Sequence, residues 1–206
     1  MKSPQKSSPL IRFKLSMDID YEKWHDGVGY DLEALREATP GERMEIEGML
    51  ITRSSLDWRD IEALAEINTP RSRAAIKSAA SKSIIETSIA AIRYMRELFT
   101  DGECISIIVD ALRAAKLYGG LSQALDIVAD FHPQEVVSEL LRGVKQREGD
   151  VAVLYAAMLL YLYGKSKEPF DWEKRPFLLR FNTEDTADRH EAYLELCRIL
   201  NIKPDD

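Results

Sequence analysis

The sequence predicts an all-α fold, a right-handed α-solenoid of about four stacked helical hairpins with N- and C-terminal capping segments. Three observations lead there. Four short signals, Thr39-Pro40-Gly41-Glu42, Thr69-Pro70-Arg71-Ser72, Thr100-Asp101-Gly102-Glu103 and His132-Pro133-Gln134-Glu135, have the form of helix starts: a polar acceptor for an orphan N–H, a residue suited to the first helical position, and in three of them a Glu able to close a capping box. They begin at residues 39, 69, 100 and 132, and so stand 30, 31 and 32 positions apart. Each is followed by two apolar runs with steps of three and four, and no segment keeps the alternation of a strand between hairpin turns. A start signal at this near-constant period points to stacked helix pairs rather than to one bundle.

Taken in order, residues 1–16 are basic and Ser/Pro-rich, with Lys2, Lys6, Arg12 and Lys14 and no acid, and are expected to be a flexible tail. They lack the apolar middle of a signal peptide. Residues 17–38 form an N-terminal cap in which Tyr21, Trp24 and Tyr30 stand among acids, Gly27 and Gly29 break the chain, and Asp31 opens a short helix through Leu32, Leu35 and Arg36. The repeats cover residues 39–163. The first hairpin, 40–53 and 57–67, carries Met44, Ile46, Met49 and Leu50, then Trp58, Ile61, Leu64 and Ala65, with a break at Ser54-Ser55. The second, 70–80 and 83–99, pairs the small residues Ala74, Ala75, Ile76 and Ala79 with a stripe of Ile84, Ile85, Ile89, Ile92 and Met95. The third, 101–118 and 121–131, breaks at Gly119-Gly120, and the fourth, 133–147 and 150–163, at Gly149. Residues 151–163 are apolar nearly all round, so their outer side needs cover. Residues 164–206 supply it: an irregular aromatic segment to about residue 183, then a capping helix over about 184–200 with Thr183 as N-cap and Tyr193, Leu194, Cys197 and Leu200 buried.

Composition narrows the function. With 206 residues and a 45% hydrophobic fraction, the chain suits one domain or one repeat array. No stretch approaches the roughly 18 apolar residues of a membrane span. Cys104 and Cys197 lie far apart in helical patterns, as buried thiols of a reducing compartment do, which makes the cytoplasm the expected location. The net charge of −7 is uneven: residues 18–66 hold 14 acids against 5 bases, residues 68–100 hold 6 bases against 2 acids. The acidic half favours a partner with a basic surface, or is simply a solvated face. A dominant basic stripe for nucleic acid is absent.

Catalytic and metal motifs are lacking too. His25, His132 and His190 form no metal spacing, and Gly119-Gly120 lacks the Lys of a phosphate loop. The acid pairs Glu62/Glu66 and Asp126/Asp130 share helix faces but suit solvent better than a desolvated cleft. No enzyme activity, metal or cofactor is expected. Binding is expected on the outward positions of the second helices and on the aromatic cluster of residues 169–181. The candidate partner-binding residues are Trp58, Arg59, Asp60, Glu62, Glu86, Arg93, Glu97, Asp126, Asp130, Trp172 and Arg175.

Over roughly residues 39–163 the helix-start prolines, the Asp57-Trp58-Arg59-Asp60 opening and the Arg73-Ala74-Ala75-Ile76-Lys77 run resemble the HEAT-repeat superfamily. Residues 24–30, 57–60 and 170–177 look like bacterial HEAT-like proteins, some of them encoded beside secreted polymorphic toxins. The resemblance implies HEAT-like hairpins and a non-catalytic scaffold that binds one protein, as an immunity protein neutralises its toxin. The alternative it implies is a nucleic-acid-binding HEAT protein of the DNA glycosylase type, using Arg71, Arg73, Lys77, Arg93 and Arg96, against which the missing basic face counts.

Overall fold

Helices are the only regular structure among the described residues, which in the computed structural model are 7–18, 20–82, 84–116 and 120–204, with Trp24 described by its backbone alone. Lys2, Lys6, Gly119 and the Trp24 side chain therefore lie outside the described residues. The chain divides into two units, Met1–Phe99 and Thr100–Asp206. The N-terminal unit holds α1 (Pro9–Ser16), α2 (Tyr21–His25), α3 (Leu32–Glu37), α4 (Pro40–Ile51), α5 (Trp58–Ile67), α6 (Pro70–Ala80) and α7 (Ile85–Tyr94), the last followed by a 3₁₀ turn. The C-terminal unit holds α8 (Asp101–Ala114), α9 (Leu121–Asp130), α10 (Gln134–Gln146), α11 (Gly149–Leu162), α12 (Arg175–Leu178) between 3₁₀ turns Trp172–Lys174 and Leu179–Phe181, and α13 (Thr186–Leu200).

Three of the four start signals act as capping boxes. The Glu42 N–H donates to Thr39 Oγ1 at 3.3 Å while the Thr39 N–H donates to the Glu42 carboxylate at 2.9 Å. Thr69 with Ser72 and Thr100 with Glu103 open α6 and α8 in the same reciprocal way. The fourth differs. Pro133 is itself the N-cap of α10, no side chain caps the helix, and His132 turns its Nδ1 to the Val128 carbonyl at 3.0 Å. One residue further from the helix than a cap, the imidazole serves the preceding turn instead.

Within each unit the helices pack as pairs in two layers. α4 lies on α5 and α6 on α7, while α4 also meets α6 and α5 meets α7. In the C-terminal unit α8 lies on α9 and α10 on α11, with α8 against α10 and α9 against α11. Helix ends depart from the expectation where the backbone turns. α7 stops at Tyr94 because Met95 leaves helical geometry (φ −141°, ψ 49°), and Ile84, expected in the stripe, is an exposed N-cap. α13 begins at Thr186, capped by Asp185, whose carboxylate accepts the Ala187 and Asp188 N–H groups. Thr183 instead accepts the Asp185 N–H and gives its carbonyl to Arg189. Leu196, not the half-buried Leu194, completes the buried side of α13.

The largest correction concerns the expected tail. Residues 9–16 are α1, opened by Ser8, whose Oγ accepts the Ile11 N–H at 3.3 Å, with Pro9 in the first turn. Phe13 is fully buried, edge-on to Tyr30 at 5.5 Å. Arg12 reaches Asp31 at 3.1 Å and Glu37 at 2.6 Å, and Lys14 reaches Glu45 at 2.7 Å. α1 packs on α3 and α4, and α3 on α5, so this first pair keeps the layer order of the pairs after it. A basic stretch without acids looks unanchored in isolation; here the acidic residues 31–45 supply its partners.

At the other end, α11 buries Ala152, Val153, Tyr155, Ala156, Ala157, Met158, Leu159 and Leu160. α10 covers one side of it, and α12, the Leu179–Phe181 turn and α13 cover others, inserting the fully buried Leu178 and Phe181. The Tyr155 ring of α11 lies against the bare backbone of α10 at Gly143, where a Cβ would stand 2.4 Å from it. The Tyr155 hydroxyl donates to the Leu112 carbonyl at 2.6 Å, tying α11 to α8.

Candidate protein-binding surface

The predicted residues of α5 are turned inward. Asp57 and Asp60 form a capping box, with the Asp60 N–H donating to Asp57 at 3.3 Å and the Asp57 N–H donating to Asp60 at 2.9 Å. Asp60 is fully buried, which overturns its expected place on a binding face. The Tyr30 hydroxyl donates to it at 3.0 Å, and Arg53 Nη1 donates to the Tyr30 oxygen at 2.9 Å while standing 3.3 Å from the Asp60 carboxylate. Arg59 folds back onto Asp57 at 2.6 Å, its guanidinium 5.7 Å from the centre of the Tyr30 ring and 5.9 Å from that of Trp58. Trp58 and Glu62 are partly covered by the chain itself, since a Cβ on Gly29 would stand 3.0 Å from Glu62 Oε2 and 3.7 Å from the Trp58 ring. Glu62 also accepts the Tyr94 hydroxyl at 2.9 Å.

The electrostatics follow from this geometry. Burial raises the Asp60 carboxyl above its ordinary value, and the neighbouring Asp57 charge adds to the rise. Burial also works to raise Asp57, but the hydrogen bonds and charge of Arg59, with the N–H groups of Arg59 and Asp60, outweigh it and hold Asp57 low. Tyr30 is raised by burial and by the two carboxylates, and Tyr94 is pushed up to about 12 by burial and its bond to Glu62. These are the marks of a closed structural network. Residue patterns in sequence gave no sign of the parts played by Tyr30, Arg53 and Tyr94, because Tyr30 stands 23 residues from Arg53 and 30 from Asp60, and Tyr94 stands 32 from Glu62.

Elsewhere the predictions scatter. Glu86 and Arg93 are exposed on α7, Arg93 standing 5.9 Å from the centre of the Tyr94 ring, and Glu97 beyond it is engaged by Arg73 at 3.0 Å. Asp126 and Asp130 are exposed on α9 in the other unit. Many acids of the N-terminal half are already engaged: Asp31 and Glu37 by Arg12, Glu45 by Lys14, Glu66 by Arg36, Glu47 by Arg71 and Thr69, Glu42 by its cap. Asp18, Asp20, Glu22 and Glu33 remain exposed. The basic stretch is engaged as well, with Arg71 on Glu47, Arg73 on Glu97, Lys77 on the Leu98 carbonyl and Arg96 on the Phe99 carbonyl.

Trp172 and Arg175 are brought together. Trp172 is 67% exposed, the Arg175 guanidinium lies 5.1 Å from its ring centre, and Phe170 meets it edge-on at 6.1 Å. Residues 172–181 run as successive short helical turns, so positions 172, 175 and 179 fall on one side and 178 and 181 on the other. The inner residues Leu178 and Phe181 are fully buried, and Leu179 on the outer side is 44% exposed. Leu179 is the member missing from the prediction, although its step of seven from Trp172 was legible.

Two open depressions lie in the N-terminal unit. One of about 160 Å³ is lined by Ile51, Ser55, Leu56, Ala75 and Lys82, and one of about 460 Å³ by Ala38, Pro40, Met44, Ile67 and the buried Glu47, whose carboxylate Thr69 and Arg71 already hold. Among the described residues no group of three or more His, Cys, Asp or Glu stands together as metal ligands, and no helix is long and apolar enough to cross a membrane. Comparison with known proteins gives no matching family model, no matching curated protein and no matching solved structure.

Proposed function

We propose that the chain is a non-catalytic scaffold, a right-handed α-solenoid of HEAT-like hairpins that binds one protein partner, as an immunity protein neutralises a toxin. The observation that carries this reading is the exposed Trp172 under the Arg175 guanidinium, with Leu179 on the same side of the segment. Trp and Arg supply a large share of the energy at protein interfaces, and a Trp left two-thirds in water is what a contact surface leaves uncovered. The paired, two-layered packing inside each unit supports stacked hairpins, and α1 with α3 adds one pair to the four expected. A cytoplasmic location and a basic partner surface remain part of the proposal, the latter now resting on the few acids left exposed near residues 18–33.

The nucleic-acid alternative has less behind it, because four of the five cations it needs, Arg71, Arg73, Lys77 and Arg96, are held by carboxylates and carbonyls of the N-terminal unit. Co-expression with the product of the neighbouring gene, followed by pull-down and a growth-rescue assay, tests the scaffold reading. A complex that W172A weakens supports it; no complex and no rescue overturn its toxin-neutralising form.

A further inference from the structure

The geometry points to an acidic, apolar-bearing peptide segment as the partner element that docks on the Trp172–Arg175–Leu179 ridge. This rests on the protein-binding reading and adds a second contact, opposite in sign to the basic partner surface proposed for the acids near residues 18–33. The indole and the Leu179 side chain present apolar surface. Arg175, stacked on Trp172 at 5.1 Å, meets no carboxylate among the described residues, although Glu173 is two positions away. The guanidinium stands over the indole without a carboxylate, and a cation placed there by the ring loses less freedom in gripping one.

The local charge agrees. Among the described residues Lys165, Lys167 and Lys174 likewise stand without a carboxylate partner; with Arg175 they are four cations against Glu168, Asp171 and Glu173, a local balance of +1, and Asp171 is turned onto the Glu173 N–H at 2.9 Å. Arg180 is already held by Glu195. The net charge of −7 governs long-range approach, but at contact distance the segment from 165 to 175 is cationic. An acidic peptide with one large apolar side chain satisfies both faces of the ridge: its carboxylate pairs with Arg175 and its side chain covers the indole.

The test is fluorescence anisotropy of the full chain with three short labelled peptides at low salt: Asp/Glu around a Leu-Phe pair, the same peptide with Lys for every acid, and the acidic peptide with Ser for Leu-Phe. The first peptide should bind, the other two should bind at least about tenfold more weakly, and W172A should weaken the first about tenfold or more. R175E should reverse the preference toward the Lys peptide. Both variants alter exposed side chains, and unchanged melting curves will confirm that they fold. Preference of the native chain for the Lys peptide, no binding of any peptide, or indifference to both variants would overturn the inference. So would Trp172-dependent binding to phosphatidylserine vesicles in place of the peptide. If the co-expressed partner is lost in W172A yet held more tightly by R175E, the scaffold reading stands and the acidic-segment inference falls. If the acidic peptide binds as described but no protein partner is held, the reverse applies.

Discussion

The two ends of the chain solve the same problem by different means. Each must cover the outermost helices of its own unit. The N-terminal end does so with another pair, α1 and α3, opened by Ser8-Pro9 just 31 positions before Thr39-Pro40 and fixed by Phe13, Arg12 and Lys14. The C-terminal end leaves the pattern, laying short helical turns and α13 over an almost wholly apolar α11. A continued pair hides its apolar side in the existing layers. An improvised cover has two sides, and its outer side here carries Trp172 and Leu179 in water. Departure from the paired pattern is what leaves apolar side chains uncovered there.

The comparison breaks most sharply at its two buried phenylalanines. Phe13→Ala and Phe181→Ala should each lower stability by about 3–5 kcal/mol, since both are fully buried and their loss leaves a cavity. Urea unfolding measures this. A Phe13→Ala chain as stable as the native one would return residues 9–16 to the status of a tail. Trp172→Ala, by contrast, should stay within about 0.5 kcal/mol of the native chain.

Next in size is Gly143→Ala. Its new Cβ would meet the Tyr155 ring at 2.4 Å, a contact that forces α10 and α11 apart and should cost about 1–3 kcal/mol by overpacking. A second substitution, Tyr155→Leu, makes room but removes the hydroxyl bond to the Leu112 carbonyl and leaves it only the longer one from the Ala115 N–H at 3.4 Å, so it should not restore full stability. Full restoration in the double variant would show that the Tyr155 hydroxyl bond to Leu112 contributes little, and no restoration at all would show that the contact with the ring is not what Gly143 avoids.

Helix starts were the most legible part of the fold, because a cap is a local event: Thr39, Thr69 and Thr100 need only residues three positions on. The same logic failed where it was not applied or did not hold. Ser8-Pro9 fits the period, but Ile11 in place of Glu closes no box, and the basic surroundings disguised it. The candidate site was read less well. Arg59, Asp60 and Glu62 look outward by helical phase, and only the fold brings Tyr30 and Arg53 over Asp60 and Gly29 against Glu62. Trp172 and Arg175 were legible because their contact spans one turn.

A smaller effect separates the starts toward the two ends. Thr39→Ala removes an acceptor from the first turn of α4 and should cost about 1 kcal/mol, seen as a lower melting midpoint. His132→Ala removes no cap from α10, since Pro133 holds that position, and should lose less than Thr39→Ala. Equal losses would mean that His132 supports α10 in a way its bond to Val128 does not reveal.

The smallest effect is a pH slope inside the network that fastens the N-terminal pair. Asp60 is raised above the ordinary aspartate value of about 3.9, so in that window the folded chain holds its proton more tightly than the unfolded chain. Its contribution therefore favours folding at the acid end and declines as pH rises through the shifted value. Asp57 is held low, so its contribution has the opposite sign: present above about 3.9 and lost as pH falls through its depressed value. Melting midpoints of the native chain minus those of D60N should fall with rising pH across this window, while native minus D57N should rise. The carboxylates common to all three chains cancel in each difference. Parallel slopes for the two variants would mean that the charges of Asp57 and Asp60 are not held apart by Arg59 and burial, and that Tyr30 rests on a looser network than the one at the start of α5.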